Sequence, residues 1–172
     1  MIILTVWVII LIIHLFYSFT IHINHKKCNF YHYTILYSAP VGQLSTSRDL
    51  LKVILLSLIT FGIYGIIFYS GLSKDVNAIA SRYDGRKTMH YCLMCFVVAP
   101  LTLGIGLLVW CHNISDRIGN ELKRRGIDYS FNAGTFWLWY VLGAIVIVGP
   151  FVYLHKMCVA MNKLSENYNI HG

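Results

Sequence analysis

Histidine and cysteine are the side chains here best suited to metal or redox chemistry, and they fall in three groups. His22, His25, Cys28 and His32 are spaced three, three and four apart, so a helix would present them on one broad face, where imidazole and thiolate chelate zinc. Structural zinc sites draw ligands from two elements, and Lys26 and Lys27 inside this cluster oppose a cation, so no metal site is assigned to it. Cys92 and Cys95 form a C-x-x-C with His90 just before it, the spacing of a redox or metal-binding pair. A second pair is absent. Both thiols begin an apolar run where desolvation disfavours the thiolate, and packing is the simpler account. His112 and His155 stand beside Trp110 and Tyr153, where an imidazole could pass protons at a membrane boundary. Anchoring of these residues at the interface explains them with less.

The acidic residues exclude more. Asp49, Asp75, Asp84, Asp116, Glu121, Asp128 and Glu166 all lie outside the apolar runs. Proton-coupled transport and intramembrane hydrolysis usually need a buried carboxylate or charged relay, and none is offered. We therefore expect no catalytic residue, no cofactor and no enzyme. Asn77, Asn113, Asn120 and Asn162 read as interhelical glue, and Lys74, Asp75, Asp116 and Arg117 as solvated faces or weak surface pairs.

The elements that carry these residues are apolar. The 172 residues are 57% hydrophobic and 12% charged, with a mean hydropathy of +0.62, outside the range of soluble domains. Four runs approach the length of a spanning helix: Met1 to Ile23, Leu50 to Leu72, Tyr91 to Cys111, and Phe136 to Leu154. Nearly all charge lies between them, so the net +7 belongs beside a bilayer, where Lys and Arg favour anionic headgroups. No basic soluble domain is present to hold nucleic acid. The five cysteines are odd in number and mostly inside apolar runs, which argues against a disulfide framework.

Residues 1–23 read as a signal anchor or as a spurious extension, because Ile, Phe, Tyr, His, Asn and Lys dominate through Tyr37, as in translated AT-rich DNA. Residues 24–47 form a polar linker, with Ser47 a candidate N-cap. Residues 48–169 then repeat one plan three times. Thr102, Leu103, Gly104 and Ile105 match Thr60, Phe61, Gly62 and Ile63 at an offset of 42, and Trp110 falls under Phe68. At an offset of 43, Gly149 falls under Gly106, Tyr153 under Trp110 and His155 under His112. Each unit is an apolar run broken by Gly or Pro, an aromatic near its far end, and an amphipathic extension. The extension stripes are Leu72, Val76, Ile79, Ala80 and Tyr83; Ile114, Ile118 and Leu122; and Met157, Met161, Leu164 and Tyr168. Burial of each stripe against its neighbours predicts a stacked or pseudo-symmetric bundle. The first extension is expected to end at Asp84 and Gly85, and the second at Lys123 to Arg125 with Gly126 after it.

The run LLKVILLSLITFGIYGIIFYSGLSKDVNAIASRYDG, with LTLGIGLLVWCHNISDRIGNELKRRG and VGPFVYLHKMCVAMNKLSENYN, resembles the bacterial membrane-protein family of domain of unknown function 4234. The resemblance covers Arg48 to Asn169 and leaves Met1 to Ser47 unmatched. It implies a small multi-pass membrane protein of bacteria with no assigned activity, and carries over no functional residue.

Two topologies compete for the three core runs. Spanning helices are the favoured one, giving an all-α integral membrane protein of the bacterial inner membrane. Lys and Arg then divide evenly, with Arg48, Lys52, Arg117, Lys123, Arg124 and Arg125 facing Lys74, Arg82, Arg86, Lys87, Lys156 and Lys163. Such balance does not orient a protein. It is what hairpins of half-length helices would show, folding back at Gly62, Pro100 and Gly149-Pro150 with Thr60 and Thr102 capping the return. The expected function is an accessory, scaffold or stress-related membrane component whose basic extensions meet anionic lipid, with a second copy or another membrane protein as further partner. The alternative is a small-solute permease or channel, its pore lined by Ser57, Thr60, Thr102 and Asn113.

Overall fold

The structure is a computed structural model that describes residue 40 and residues 42–172, so residues 1–23 and the cluster His22, His25, Cys28 and His32 lie outside the described residues. Every regular element described is helical: α1 (Leu50–Ile59), α2 (Ile63–Asp84), α3 (Tyr91–Leu93), α4 (Ala99–Leu101), α5 (Ile105–Arg124), α6 (Ala133–Thr135) and α7 (Gly149–His171). A π-helical stretch, Met94–Val98, joins α3 to α4. Phe136–Leu142, also π-helical, and the 3-10 turn Gly143–Val146 lead from α6 towards α7.

Each core run is therefore folded in two, and none is a single spanning helix. Among the described residues, no helix is long and apolar enough to cross a membrane. An incoming arm of about ten residues reverses at a turn and continues into a long outgoing helix, α2, α5 or α7. The first reversal falls at Thr60 to Gly62, as the hairpin reading places it. The second falls at Thr102 to Gly104 and not at Pro100. Pro100 sits inside the arm, where its missing N–H leaves a helical bond unmade and the preceding turn is wound wide as π-helix. The third reversal, at Ile147 and Val148, immediately precedes Gly149 and Pro150. Helix ends follow expectation: Gly85 and Gly126 take positive φ (63° and 67°) just beyond α2 and α5. The N-cap of α1 is Asp49, without a side-chain bond, and not Ser47.

The three outgoing helices run parallel. Near the starts of α2 and α5 Tyr69 packs edge-on to Trp110 (6.2 Å), and the Tyr153 hydroxyl near the start of α7 shares a 2.8 Å hydrogen bond with Ser115 midway along α5. Near their ends the Arg124 guanidinium stacks 3.5 Å over Tyr83, and Arg125 donates to Asn167 at 2.8 Å. The stripes read from the sequence form the core between them: Leu72, Val76 and Ile79, then Ile114, Ile118 and Leu122, then Met157, Met161 and Leu164 are all buried. All three reversals consequently lie at one end of the bundle.

Each incoming arm fills the groove between its own outgoing helix and the one before. Tyr91 stacks on Tyr69 of α2 (4.9 Å) and meets Trp110 of α5 (5.0 Å), while Phe136 and Tyr140 pack on Tyr153 of α7 (5.6 and 5.4 Å). The first arm, α1, packs on α2 and on α7, which closes the circle. Asparagines hold the entries. Asn77 exchanges two bonds with the Thr88 backbone (2.9 and 2.7 Å), and Asn162 does the same with the Arg48 backbone (2.8 and 3.0 Å). At the third entry the α5 surface is bare, since a Cβ on Gly119 would lie 2.4 Å from the Phe131 carbonyl oxygen.

Arg117 departs from the surface role read for it. It is buried, and its guanidinium donates to both oxygens of Asp84 (2.7 and 3.1 Å), to Asn77 Oδ1 (2.7 Å) and to the Arg86 carbonyl (3.0 Å). Asp75 likewise pairs with Arg48. Removing one partner of a buried ion pair leaves the other uncompensated, so Arg117→Ala is expected to destabilise the fold by about 3–5 kcal/mol. Thermal unfolding in detergent, with Lys123→Ala as an exposed control that changes little, checks it.

Candidate membrane-insertion site

The first two reversals share one geometry. Phe61 and Leu103 adopt left-handed backbone (φ 50° and 49°), and each is followed by a glycine of positive φ, Gly62 (90°) and Gly104 (86°). The Gly62 amide donates to the Ser57 carbonyl (2.7 Å) and the Phe61 amide to that of Leu58 (3.3 Å). Gly104 and Leu103 repeat the pair onto Ala99 (2.8 Å) and Pro100 (3.4 Å). This is the Schellman closure, which satisfies carbonyls that a helix end leaves open.

The threonines complete it. Thr60 Oγ1 donates to the Leu56 carbonyl (2.7 Å) and accepts from the Tyr64 amide (2.9 Å). Thr102 Oγ1 does the same between Val98 (2.7 Å) and Gly106 (2.9 Å). One hydroxyl thus spans both arms of its hairpin. The third reversal has no threonine and uses close backbone contact instead: a Cβ on Gly149 would lie 2.2 Å from the Trp139 carbonyl oxygen and 2.4 Å from Gly143 Cα. Ile147 supplies the positive φ there (65°).

What the turns present is apolar. Phe61 is 97% exposed, Leu103 93% and Ile145 83%, with Ile59, Leu101 and Ile147 beside them. A left-handed backbone costs a residue with a Cβ roughly 1–2 kcal/mol, and glycine is the usual occupant. Phe61 and Leu103 bear that cost while touching almost nothing in the protein. A full-length arm such as α1, ten residues at about 1.5 Å each, extends about 15 Å, half of a hydrocarbon core of about 30 Å.

Among the described residues, those singled out by chemistry are not assembled into a site. Cys92 and Cys95 are free thiols, and Cys92 Sγ lies 3.3 Å from Ser70 Oγ, in helix packing. Among the described residues no group of three or more His, Cys, Asp or Glu side chains is placed to hold a metal ion. Trp110 and Tyr153, read as interfacial anchors, are instead core residues; the Trp110 indole donates to the Met89 carbonyl (2.9 Å). His112 accepts from the Trp137 indole (3.0 Å), and His155 is exposed. Asn113 and Asn120 are exposed, with Asn120 donating to Asp116 (3.0 Å). The apolar left-handed positions, Phe61 and Leu103, were not among the residues that the sequence singled out. Their signal was present, in that Phe61 and Leu103 occupy the same place in a Thr-x-Gly-Ile repeat.

Two consequences can be measured. Thr60→Val or Thr102→Val leaves a helix amide without an acceptor and should cost about 1–3 kcal/mol each where water is excluded, with Thr→Ser restoring most of it; unfolding in lipid nanodiscs checks this. Burial pushes the Cys158 thiol up to about 11 from its ordinary 9.0, against the lowering pull of Arg48. Native protein at pH 8 should therefore resist alkylation at Cys158, as read by peptide mass spectrometry. Because the proton is held more tightly in the folded state, this thiol's contribution to stability is intact below pH 9 and declines as pH rises towards 11.

No curated protein and no solved structure matches this chain. The family model of Domain of unknown function (DUF4234) matches residues 48–120, which hold the first two hairpins and both Thr-x-Gly-Ile turns.

Proposed function

We propose that this protein is a non-enzymatic membrane component that embeds three hairpin tips in a single leaflet and holds its three-helix bundle at the surface as a scaffold. The observation that carries the reading is the set of exposed apolar turns at one end of a parallel bundle, two of them at left-handed positions that a water-facing turn would give to glycine. The turns bond their own backbone, as a chain must where no water is available. All polar connections then lie on one side, in keeping with the even division of Lys and Arg. A through-pore draws no support from half-length arms whose Thr60 and Thr102 hydroxyls are committed to their own hairpins.

The test is sedimentation of membranes after an alkaline carbonate wash. Wild-type protein is expected in the pellet. Phe61→Asp with Leu103→Asp should move it to the supernatant, since a carboxylate at the bilayer centre costs about 2.5–3.5 kcal/mol. Phe61→Gly with Leu103→Gly should relieve backbone strain and raise the melting temperature while weakening retention. Single cysteines at Arg86, Lys123 and Lys163 should all react from the same side. Wild-type protein in the supernatant, or labelling of these three from opposite sides, ends the proposal.

A further inference from the structure

A cavity of about 200 Å³ opens where α1 enters the hairpin, between α1, the start of α2 and the segment before them. Its lining combines the buried apolar Val53 and Leu72 with the exposed Ile67 and the polar Ser45 and Ser47. Four charges line it. Arg48 and Asp75 pair with one another, which leaves Lys52 and Asp49, both exposed and neither with a hydrogen-bond or ion-pair partner for its charged group among the described residues. The Tyr64 hydroxyl, also in the lining, has no partner either. The open charges are thus one cation and one anion. A purely anionic ligand would satisfy Lys52 and confront Asp49.

Depth narrows the ligand further. Lys52 precedes the Phe61 tip by nine residues, about 14 Å along the helix, which is the distance from the middle of a bilayer to its headgroup layer. The cavity is smaller than the roughly 300–1,000 Å³ of sites that enclose whole drug-sized ligands, so it suits a headgroup whose tails run outside along Ile67 and Phe68.

We infer that this cavity binds the headgroup of a zwitterionic aminophospholipid, with the phosphate on Lys52 and the primary ammonium on Asp49. A carboxylate accepts hydrogen bonds from a primary ammonium and none from a quaternary one, which selects ethanolamine over choline. The inference rests on insertion in one leaflet, and its test separates the two.

Full-length protein is placed in nanodiscs of equal parts phosphatidylethanolamine, phosphatidylglycerol and phosphatidylcholine, and retained lipids are counted by native mass spectrometry. Wild-type protein should retain phosphatidylethanolamine over either competitor by roughly tenfold, the worth of one charge-assisted hydrogen bond. Asp49→Asn should abolish the preference over phosphatidylglycerol, Lys52→Gln should reduce retention of all three, and Lys123→Gln at the far pole should change neither. Equal retention of the three lipids by wild-type protein that still pellets with carbonate-washed membranes overturns the headgroup site and leaves the insertion reading standing. Failure to pellet removes both. Soluble glycerophosphoethanolamine, which lacks acyl chains, should not displace the lipid; displacement at comparable concentration overturns the assignment to a lipid.

Discussion

A polypeptide that reverses direction among apolar side chains must satisfy its own amides and carbonyls, and the rest of this structure depends on how the turns do so. A helix end leaves several carbonyls open and a helix start leaves several amides open, and at each hairpin tip an end and a start meet within three residues. Thr60 and Thr102 resolve this with one hydroxyl each, donating backwards to the incoming arm and accepting from the outgoing helix. The left-handed pair Phe61-Gly62, and its copy Leu103-Gly104, turns the chain tightly enough for that single oxygen to reach both. Hairpins built this way need no neighbour to close their tips, so the tips are free to carry the most exposed apolar residues in the described chain.

Such tips fix what the remainder of each unit does. With the reversals together at one end, the outgoing helices lie side by side and bury their stripes in one another, so the stripes form a shared core and are not laid along a surface. The incoming arms then occupy the grooves, and a circle of three grooves closes only if the first arm finds the last helix. Asn162 makes that closure by bonding the Arg48 backbone on both sides, as Asn77 does for Thr88 one unit on. The third entry replaces the clamp with the bare backbone of Gly119, against which the Phe131 carbonyl sits. The DUF4234 match ends at residue 120, while the last unit supplies α7, on which the first arm rests.

The ion pairs follow the same logic. Arg117 ties the end of α2 to α5 through Asp84 and the Arg86 carbonyl, and Glu121 holds both Arg124 (2.7 Å) and Arg125 (3.3 Å) at the far pole. These contacts lie at the ends of the outgoing helices, remote from the tips. The polar half of the bundle is therefore tied by charge, and the apolar half by aromatic packing around Trp110 and Tyr153.

Local spacing alone determined much of this protein. The hairpin alternative located the first reversal at Gly62 but set the second at Pro100, two residues before the Thr102 to Gly104 turn; the period of the stripes located the core, and Gly85 and Gly126 marked where helices stop, because each is a property of neighbours along the chain. Spanning helix and hairpin could not be told apart that way. Both place the same apolar residues in the same order, and only the positive φ at Phe61, Leu103 and Ile147 separates them. Tertiary structure likewise decided that Trp110 and Tyr153 belong to the core, since an aromatic at the end of an apolar run suits an interface and a bundle interior equally until the neighbouring helices are in place. It decided the fate of Arg117 for the same reason: a cation on the flank of a stripe is solvated or buried according to whether another helix brings a carboxylate, and Asp84 comes from a different unit.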